Sequence, residues 1–275
     1  QRQMCIRDRD GFSPNNEYFQ TAIKLINEYK TAEPGILKNI TGTVLAPVNW
    51  LVEKLIPKAA LMGALSGADS VAKHITTKAA CETFEDLEAC DKAVSGVLDF
   101  HRVLAAAEGA GGGFLGLPGL LVDIPAITLL AVRLVRQVGV EYGYSADNQE
   151  EQQFVLSVLA AASANSQEEK IAAIAMNAHI LNLIAKNTWK KLAEEAAKNK
   201  FGTAAVIMTI KEVAKMLGIN ITKRTSLAAL PVIGAAVGAG ANLWFINDVG
   251  LAAQRLYQER WLKERGLWLE ASASS

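Results

Sequence analysis

Two long apolar, glycine-studded blocks, 103–132 and 227–246, interrupt a chain whose other apolar residues recur at helical spacing. Strand alternation is nearly absent, so the pattern predicts an all-α protein of one domain. Ser13-Pro14 supplies a cap and a first-turn proline for a helix bearing Phe19, Ala22, Ile23, Ile26 and Tyr29, and Glu33-Pro34-Gly35 stops it. Pro57 opens a second helix, with Ala60, Leu61, Ala64, Leu65, Ala68, Val71 and Ile75 on one face. From Thr83, with Asp86 in the first turn, a third run passes through Leu87, Val94, Leu98 and Leu104 into the first glycine block.

Gly111-Gly112-Gly113 is expected to break that run, because each glycine costs a helix interior about 1 kcal/mol. Leu117-Pro118 restarts a helix to about Tyr142. Ser145 or Asp147 caps the next, with Phe154, Val155, Val158, Leu159 and Ala162 inward. Ser166-Gln167-Glu168-Glu169 is a capping box. The helix behind it repeats at heptad spacing through Ile171, Ala178, Ala185 and Leu192, alongside Ile174 and Leu181. A short helix ends at Leu217-Gly218, and the second glycine block feeds a charged C-terminal helix to about Arg265.

Either block is about as long as a membrane helix, but neither reads cleanly as one. Residues 114–132 include eleven Leu, Ile, Val or Phe, which favour insertion by roughly 5 kcal/mol together, while a central Asp123 costs about 3 and two prolines add more. Residues 227–246 are similarly balanced by Pro231, three glycines and Asn242. Three readings stand: a buried hairpin-like core, a membrane-associated or re-entrant element, and a span. The pairs Gly109/Gly113, Gly112/Gly116 and Gly234/Gly238 have the spacing that lets helix backbones approach closely. Trp244 and Trp261 would suit an interfacial belt or ordinary packing.

Composition narrows the chemistry. The 275 residues carry no net charge, so no long-range field recruits nucleic acid or anionic lipid. Residues 1–9 resemble a translated sequencing-library adapter, which is expected to make them a non-native tail and 10–275 the folding unit. Without them the net charge is −2. Cys5 goes with the tail. Cys81 and Cys90, read as lying on one helix, would not face each other. No disulfide framework or zinc spacing is present, and a reducing cytoplasm is the expected setting.

Gly111-x-Gly113-x-x-Gly116 lacks the preceding strand and the later acid of a dinucleotide fingerprint. No P-loop, nucleophile elbow or zinc-protease motif occurs, so no cofactor or metal is expected. Of the three histidines, His74, His101 and His179, His101 reads as a surface or helix-end residue, with Glu108 two turns along the same face. More informative are polar residues inside apolar surroundings: Asp123, Arg133, Tyr142, Asn242, Asp248 and Arg255. Buried charges are costly unless paired, so these either neutralise one another or line a pocket. Asp248 and Arg255, seven apart on one helix face, are too distant to touch but can share partners.

The motifs Asp123-Ile124-Pro125 and Tyr142-Gly143-Tyr144, with the helix at 148–162, resemble the EcsC protein family. So does the closing stretch Pro231-Val232-Ile233-Gly234-Ala235-Ala236-Val237-Gly238-Ala239-Gly240-Ala241-Asn242, followed by Asp248-Val249-Gly250, Ala253, Tyr257 and Glu259-Arg260-Trp261-Leu262. The likeness covers roughly 93–262. It implies a link to an ABC transporter, whose genes neighbour that of the founding member, and supplies no catalytic residue. Val140-Glu141 departs from the small or polar pair of many relatives, which puts a polar role there in doubt.

The expected function is therefore that of a non-enzymatic bacterial helical protein, cytoplasmic, peripheral or re-entrant at the inner membrane. Its partner would be a membrane surface or membrane protein, with self-association through the glycine pairs as a third arrangement. The rival is a soluble hydrolase-like or lipid-binding protein with a pocket around Asp123, Asn242, Asp248 and Arg255.

Overall fold

A computed structural model describes residues 16–34, 78–113, 116–144, 149–164, 166–185 and 234–268. All regular elements among them are helices: α1 (Glu17–Thr31), α2 (Leu87–Gly113), α3 (Gly116–Glu141), α4 (Gln149–Ala162), α5 (Gln167–Ala185) and α6 (Gly234–Glu264). The expected helices around 57–75 and before Gly218 lie outside the described residues, as do Ser13, Pro14, Ser145, Asp147 and Leu192.

Local chemistry explains the helix ends. The Asn16 side chain accepts from the Tyr18 amide at 2.8 Å, and Asp86 accepts from the Glu88 amide at 3.0 Å, each satisfying a first-turn donor. Ser166 does the same for Glu169 at 3.3 Å. At the end of α3 the Tyr144 amide reaches the Gly139 carbonyl at 2.9 Å and the Gly143 amide reaches Val140 at 3.0 Å. That closure needs a left-handed residue, and Gly143 supplies it at φ 84°, the reason glycine sits between the two tyrosines.

The long C-terminal helix is the axis of the fold, packed against α1, α2, α3 and α4. Its neighbour α2 runs antiparallel. Gln258 meets Asp91, Gly250 faces Leu98 and Arg102 donates to Asn247 at 2.7 Å. A methyl group on Gly250 would sit 2.5 Å from a Leu98 terminal carbon, so its absence lets the two helices close. The core joins Phe19, Ile23 and Ile26 of α1 to Val94 and Leu98 of α2, Leu134 and Val138 of α3, Phe154 and Leu159 of α4, and Val249, Leu256 and Trp261 of α6.

One sequence expectation holds at the glycine triplet and one changes in α5. The helix entering the first glycine block ends at Gly113, the last residue of the triplet, and the next begins at Gly116, so the chain breaks where the glycines predict. The apolar face of α5 is shifted by one residue: Ile171 is 55% exposed, and the buried stripe is Lys170, Ala173, Asn177 and Ile180. Apolar residues surround this helix, so spacing alone does not fix the face; the hydrogen bond from Asn177 to the Ser157 hydroxyl at 2.8 Å does. Finally, among the described residues no helix is long and apolar enough to cross a membrane.

Candidate functional site

A cleft of about 380 Å³ opens between α1, α4, α5 and α6, within the roughly 300–1,000 Å³ range of small-ligand sites. Leu25, Ala161, Ala162 and Leu251 give it apolar walls, and Tyr29, Lys170, Asp248 and Arg255 bring polar groups, with Glu28 and Glu33 at the α1 end. Positions 248, 251 and 255 lie on one stripe of α6, which is why the two charges separated by seven residues meet the same space. The Tyr29 hydroxyl is buried and has no hydrogen-bond partner among the described residues.

Lys170 is committed to structure. Its ammonium donates to the carbonyls of Tyr29 and, at 2.8 Å, Ala32, so a cation caps the carboxyl end of α1. Burial lowers its pKa, and the Asp248 charge opposes that shift. Burial raises the Tyr29 phenol, helped by the same Asp248. The cleft thus holds a protonated phenol beside a cation and an anion.

Arg255 connects the cleft to a buried network. One of its Nη atoms donates to the Gln258 carbonyl oxygen at 2.7 Å, and the Gln258 amide donates to both Asp91 oxygens at 2.8 Å. Asp91 also accepts from the Tyr18 hydroxyl at 2.6 Å and from the Tyr142 hydroxyl. Burial first, then the Asp91 charge and hydrogen bond, push the Tyr142 pKa well above its ordinary value. Tyr18 shifts the same way through burial and the bond to Asp91. Both phenols therefore remain donors, and the carboxylate is satisfied by groups from three other parts of the chain.

On the far side of α6 lies an aromatic and ionic block. Arg260 makes a paired contact with Glu151, 2.7 Å on each arm, and reaches Glu264 at 2.8 Å. Burial alone would lower its pKa, but the Glu151 and Glu264 contacts outweigh this and raise it. Its guanidinium lies 3.9 Å from the Tyr144 ring centre. Tyr257 sits between Tyr142, Tyr144 and Phe154 at centroid distances of 6.2, 5.6 and 4.7 Å. Gly139 makes room for it, since a Cβ there would meet the Tyr257 hydroxyl oxygen at 2.6 Å. Trp261 is fully buried and donates to the Phe84 carbonyl at 2.8 Å, so it packs rather than forming a belt, while Trp244 is 51% exposed.

Of the residues singled out in the sequence, the structure brings Asp248 and Arg255 into one cleft and Tyr142 into the network beneath it. Asn242 is buried on α6 but does not line the cleft. Arg133 is half-buried on α3 over the Phe100 ring at 5.7 Å. The Asp123 side chain and the surroundings of Gly109, Gly113, Gly234 and Gly238 lie outside the described residues, as does His74.

Four expectations are corrected. His101 is not at the surface: it is 1% exposed, with Nδ1 bonded to the Val97 carbonyl at 2.8 Å. Glu141 has a definite polar role, accepting from the Ala80 and Cys81 amides at 2.8 and 2.9 Å. Cys81 and Cys90 do face each other, sulfurs 3.4 Å apart, because the helix begins only at Leu87 and Cys81 approaches from the preceding segment. The pocket takes its second cation and its phenol from Lys170 and Tyr29, which spacing did not reveal. Asp91 was also missed, although it lies in register with Leu87, Val94 and Leu98 and a helical-face count would have put it inside. Among the described residues no three His, Cys, Asp or Glu gather to hold a metal ion.

Comparison with known proteins adds one curated relative, "Uncharacterized protein YdbA" of Bacillus subtilis (strain 168), 26% identical over 192 residues. The match covers 67% of this chain and 65% of that relative, less than two thirds of its length. No solved structure matches the chain. The model of the EcsC protein family matches residues 20–262, a stretch that holds all of α2, α3, α4 and α5 and most of α1 and α6, and the chain belongs to that family.

Proposed function

We propose that this is a non-enzymatic bacterial binding protein, peripheral to the membrane, that takes the polar head of an amphipathic, zwitterionic molecule in the cleft. The observation that carries the reading is the cleft wall itself: Arg255 and Asp248 present opposite charges from one stripe of α6, the unpartnered Tyr29 hydroxyl offers a donor, and Leu25, Leu251, Ala161 and Ala162 accommodate hydrocarbon. Lys170 is engaged by two backbone carbonyls and Arg255 braces Gln258, an arrangement suited to holding a ligand against a fixed wall.

Membrane proximity is supported by the rim. Trp244 lies one turn before Asp248 on the same stripe and is half exposed, and Leu25 and Leu251 are exposed at the cleft edge. An aromatic rim beside exposed leucines suits attachment at an interface. A membrane-protein partner linked to a transporter remains an expectation of the family resemblance.

The test uses the purified full chain. Native mass spectrometry is expected to find co-purifying phospholipid, and the protein to sediment with vesicles of phosphatidylethanolamine and phosphatidylglycerol. Arg255→Ala should weaken vesicle binding about tenfold, the scale of losing one charged hydrogen bond, while Trp244→Ala weakens it with no change in melting temperature. A lipid-free protein that stays in the supernatant overturns the proposal.

A further inference from the structure

The segment 80–86 and the first turn of α2 bring two thiols together. Cys81 and Cys90 are both buried, their sulfurs 3.4 Å apart, and the Cys81 thiol also donates to the Thr83 carbonyl at 3.3 Å. This contact is held from outside. Glu141 grips the Ala80 and Cys81 amides, and the Phe84 carbonyl accepts from Trp261 at 2.8 Å and Arg265 at 2.9 Å. A disulfide needs the sulfurs to close to about 2.05 Å, a small movement for two side chains already in contact. Free cysteines buried in pairs have no packing requirement that a valine or alanine would not meet.

We infer that Cys81 and Cys90 form a reversible redox site, oxidised to an intramolecular disulfide by a small hydroperoxide. The Cys81 sulfur attacks the terminal peroxide oxygen, forming an S–O bond as the O–O bond breaks, and the thiol proton passes to the departing oxygen. This leaves a sulfenic acid on Cys81 and releases an alcohol, or water when hydrogen peroxide is used. The Cys90 sulfur then displaces the sulfenic hydroxyl, which leaves as water with the Cys90 proton. Two electrons pass from the thiols to the peroxide. Cys81 attacks because it retains slight exposure whereas Cys90 is fully enclosed; burial and the Cys81 contact raise the Cys90 pKa, keeping it a thiol until the sulfenic acid forms. A bulky disulfide reagent would not reach either sulfur, but a peroxide would. The cross-link ties segment 80–86 to the helix turn carrying Asp91, the carboxylate that organises Tyr18, Tyr142 and Gln258.

The experiment exposes the full-length folded chain, carrying Cys5→Ser to remove the third thiol, to hydrogen peroxide, then denatures it in N-ethylmaleimide without reductant. The expected result is loss of both maleimide labels, an intact mass lower by two hydrogens, a peptide map joining Cys81 to Cys90, and recovery of both labels after dithiothreitol. In the Cys90→Ser variant, dimedone should trap a sulfenic acid at Cys81. Full labelling of both cysteines after peroxide treatment, or sulfinic acid on one with no joined peptide, overturns the inference. The wild-type map decides the matter even if a serine variant folds poorly.

Discussion

Removing the Asp91 carboxylate is the sharpest probe of the interior. Asp91→Ala strips the acceptor from three donors: the Tyr142 hydroxyl and Gln258 amide, both buried, and the half-buried Tyr18 hydroxyl. A buried donor left unsatisfied costs about 1–3 kcal/mol, so the two enclosed groups set a loss of about 4 kcal/mol, and Tyr18 adds little because water can reach it. Relief from burying a charge offsets part of this, giving a net destabilisation of about 3 kcal/mol. Asp91→Asn keeps one carbonyl oxygen and gives the phenols a new donor to turn toward, so it should cost about 1–2 kcal/mol. Urea unfolding followed by circular dichroism measures both, and an unchanged m-value confirms that the same surface unfolds. Tyr142→Phe deletes one of the stranded donors, and in that background Asp91→Ala should cost about 1–2 kcal/mol less. A loss below about 1 kcal/mol for Asp91→Ala, or strict additivity with Tyr142→Phe, would show that the network does not bear on stability as argued.

Glu151→Gln leaves the enclosed Arg260 guanidinium with Glu264 as its anionic partner among the described residues, so denaturant titration should show a loss of about 3 kcal/mol, at the lower end for a broken buried pair. Gly139→Ala forces a methyl onto the Tyr257 ring, with carbon and hydroxyl oxygen 2.7 and 2.6 Å away; it should cost about 1–3 kcal/mol, and adding Tyr257→Phe should restore part of the melting temperature. His101 gives a pH signature. Burial first, then the Arg133 charge across from α3, lower its pKa below 6.5 despite the bond to Val97. The unfolded chain therefore binds a proton that the native state resists: stability is full above pH 6.5 and declines as pH falls toward the native pKa. Urea midpoints across this range should fall for the wild type, and His101→Gln should flatten the slope.

The helical fold was readable because most faces alternate cleanly. Phe19, Ala22, Ile23 and Ile26, or Phe154, Val155, Val158 and Leu159, leave no doubt about which side is buried, and both sets are inside. The α5 face was misread because Ile171, Ile174, Met176, Ala178 and Leu181 spread apolar area around the whole circumference, and the inward side is chosen by hydrogen bonds of Lys170 and Asn177 to other helices. The same reason hid half of the site. Asp248 and Arg255 stood out as charges in an apolar frame, but Asp91, Lys170 and Tyr29 acquire their meaning from partners far along the chain: Tyr18 is 73 residues from Asp91, Gln258 is 167. The cysteine pair is not legible from spacing, because Asp86 caps α2 between the two residues and Cys81 precedes the helix.

The motif residues that reveal the family do not, for the most part, reach the cleft. Tyr142 and Tyr144 hold Asp91 and Glu264, Gly143 closes α3, Gly250 admits Leu98, and Tyr257, Arg260 and Trp261 build the block on the far side of α6. Each packs or pairs within the scaffold. Asp248 lines the cavity, as do Ala161 and Ala162 at the end of α4, with Arg255 and Leu251 beside Asp248 on its stripe of α6. Arg255 in turn is held by Gln258, which is held by Asp91. The scaffold that the motifs specify therefore ends, link by link, at a guanidinium facing the cleft, and a ligand drawing on Arg255 would load the same network whose strength Asp91→Ala measures. If Arg255→Ala abolished vesicle binding while leaving urea stability within about 0.5 kcal/mol of wild type, as for a surface group away from the core, recognition and scaffold would be separable at that residue. If instead it destabilised the protein as strongly as Asp91→Ala, Arg255 would belong to the scaffold, and the binding role would fall to Asp248 and Tyr29.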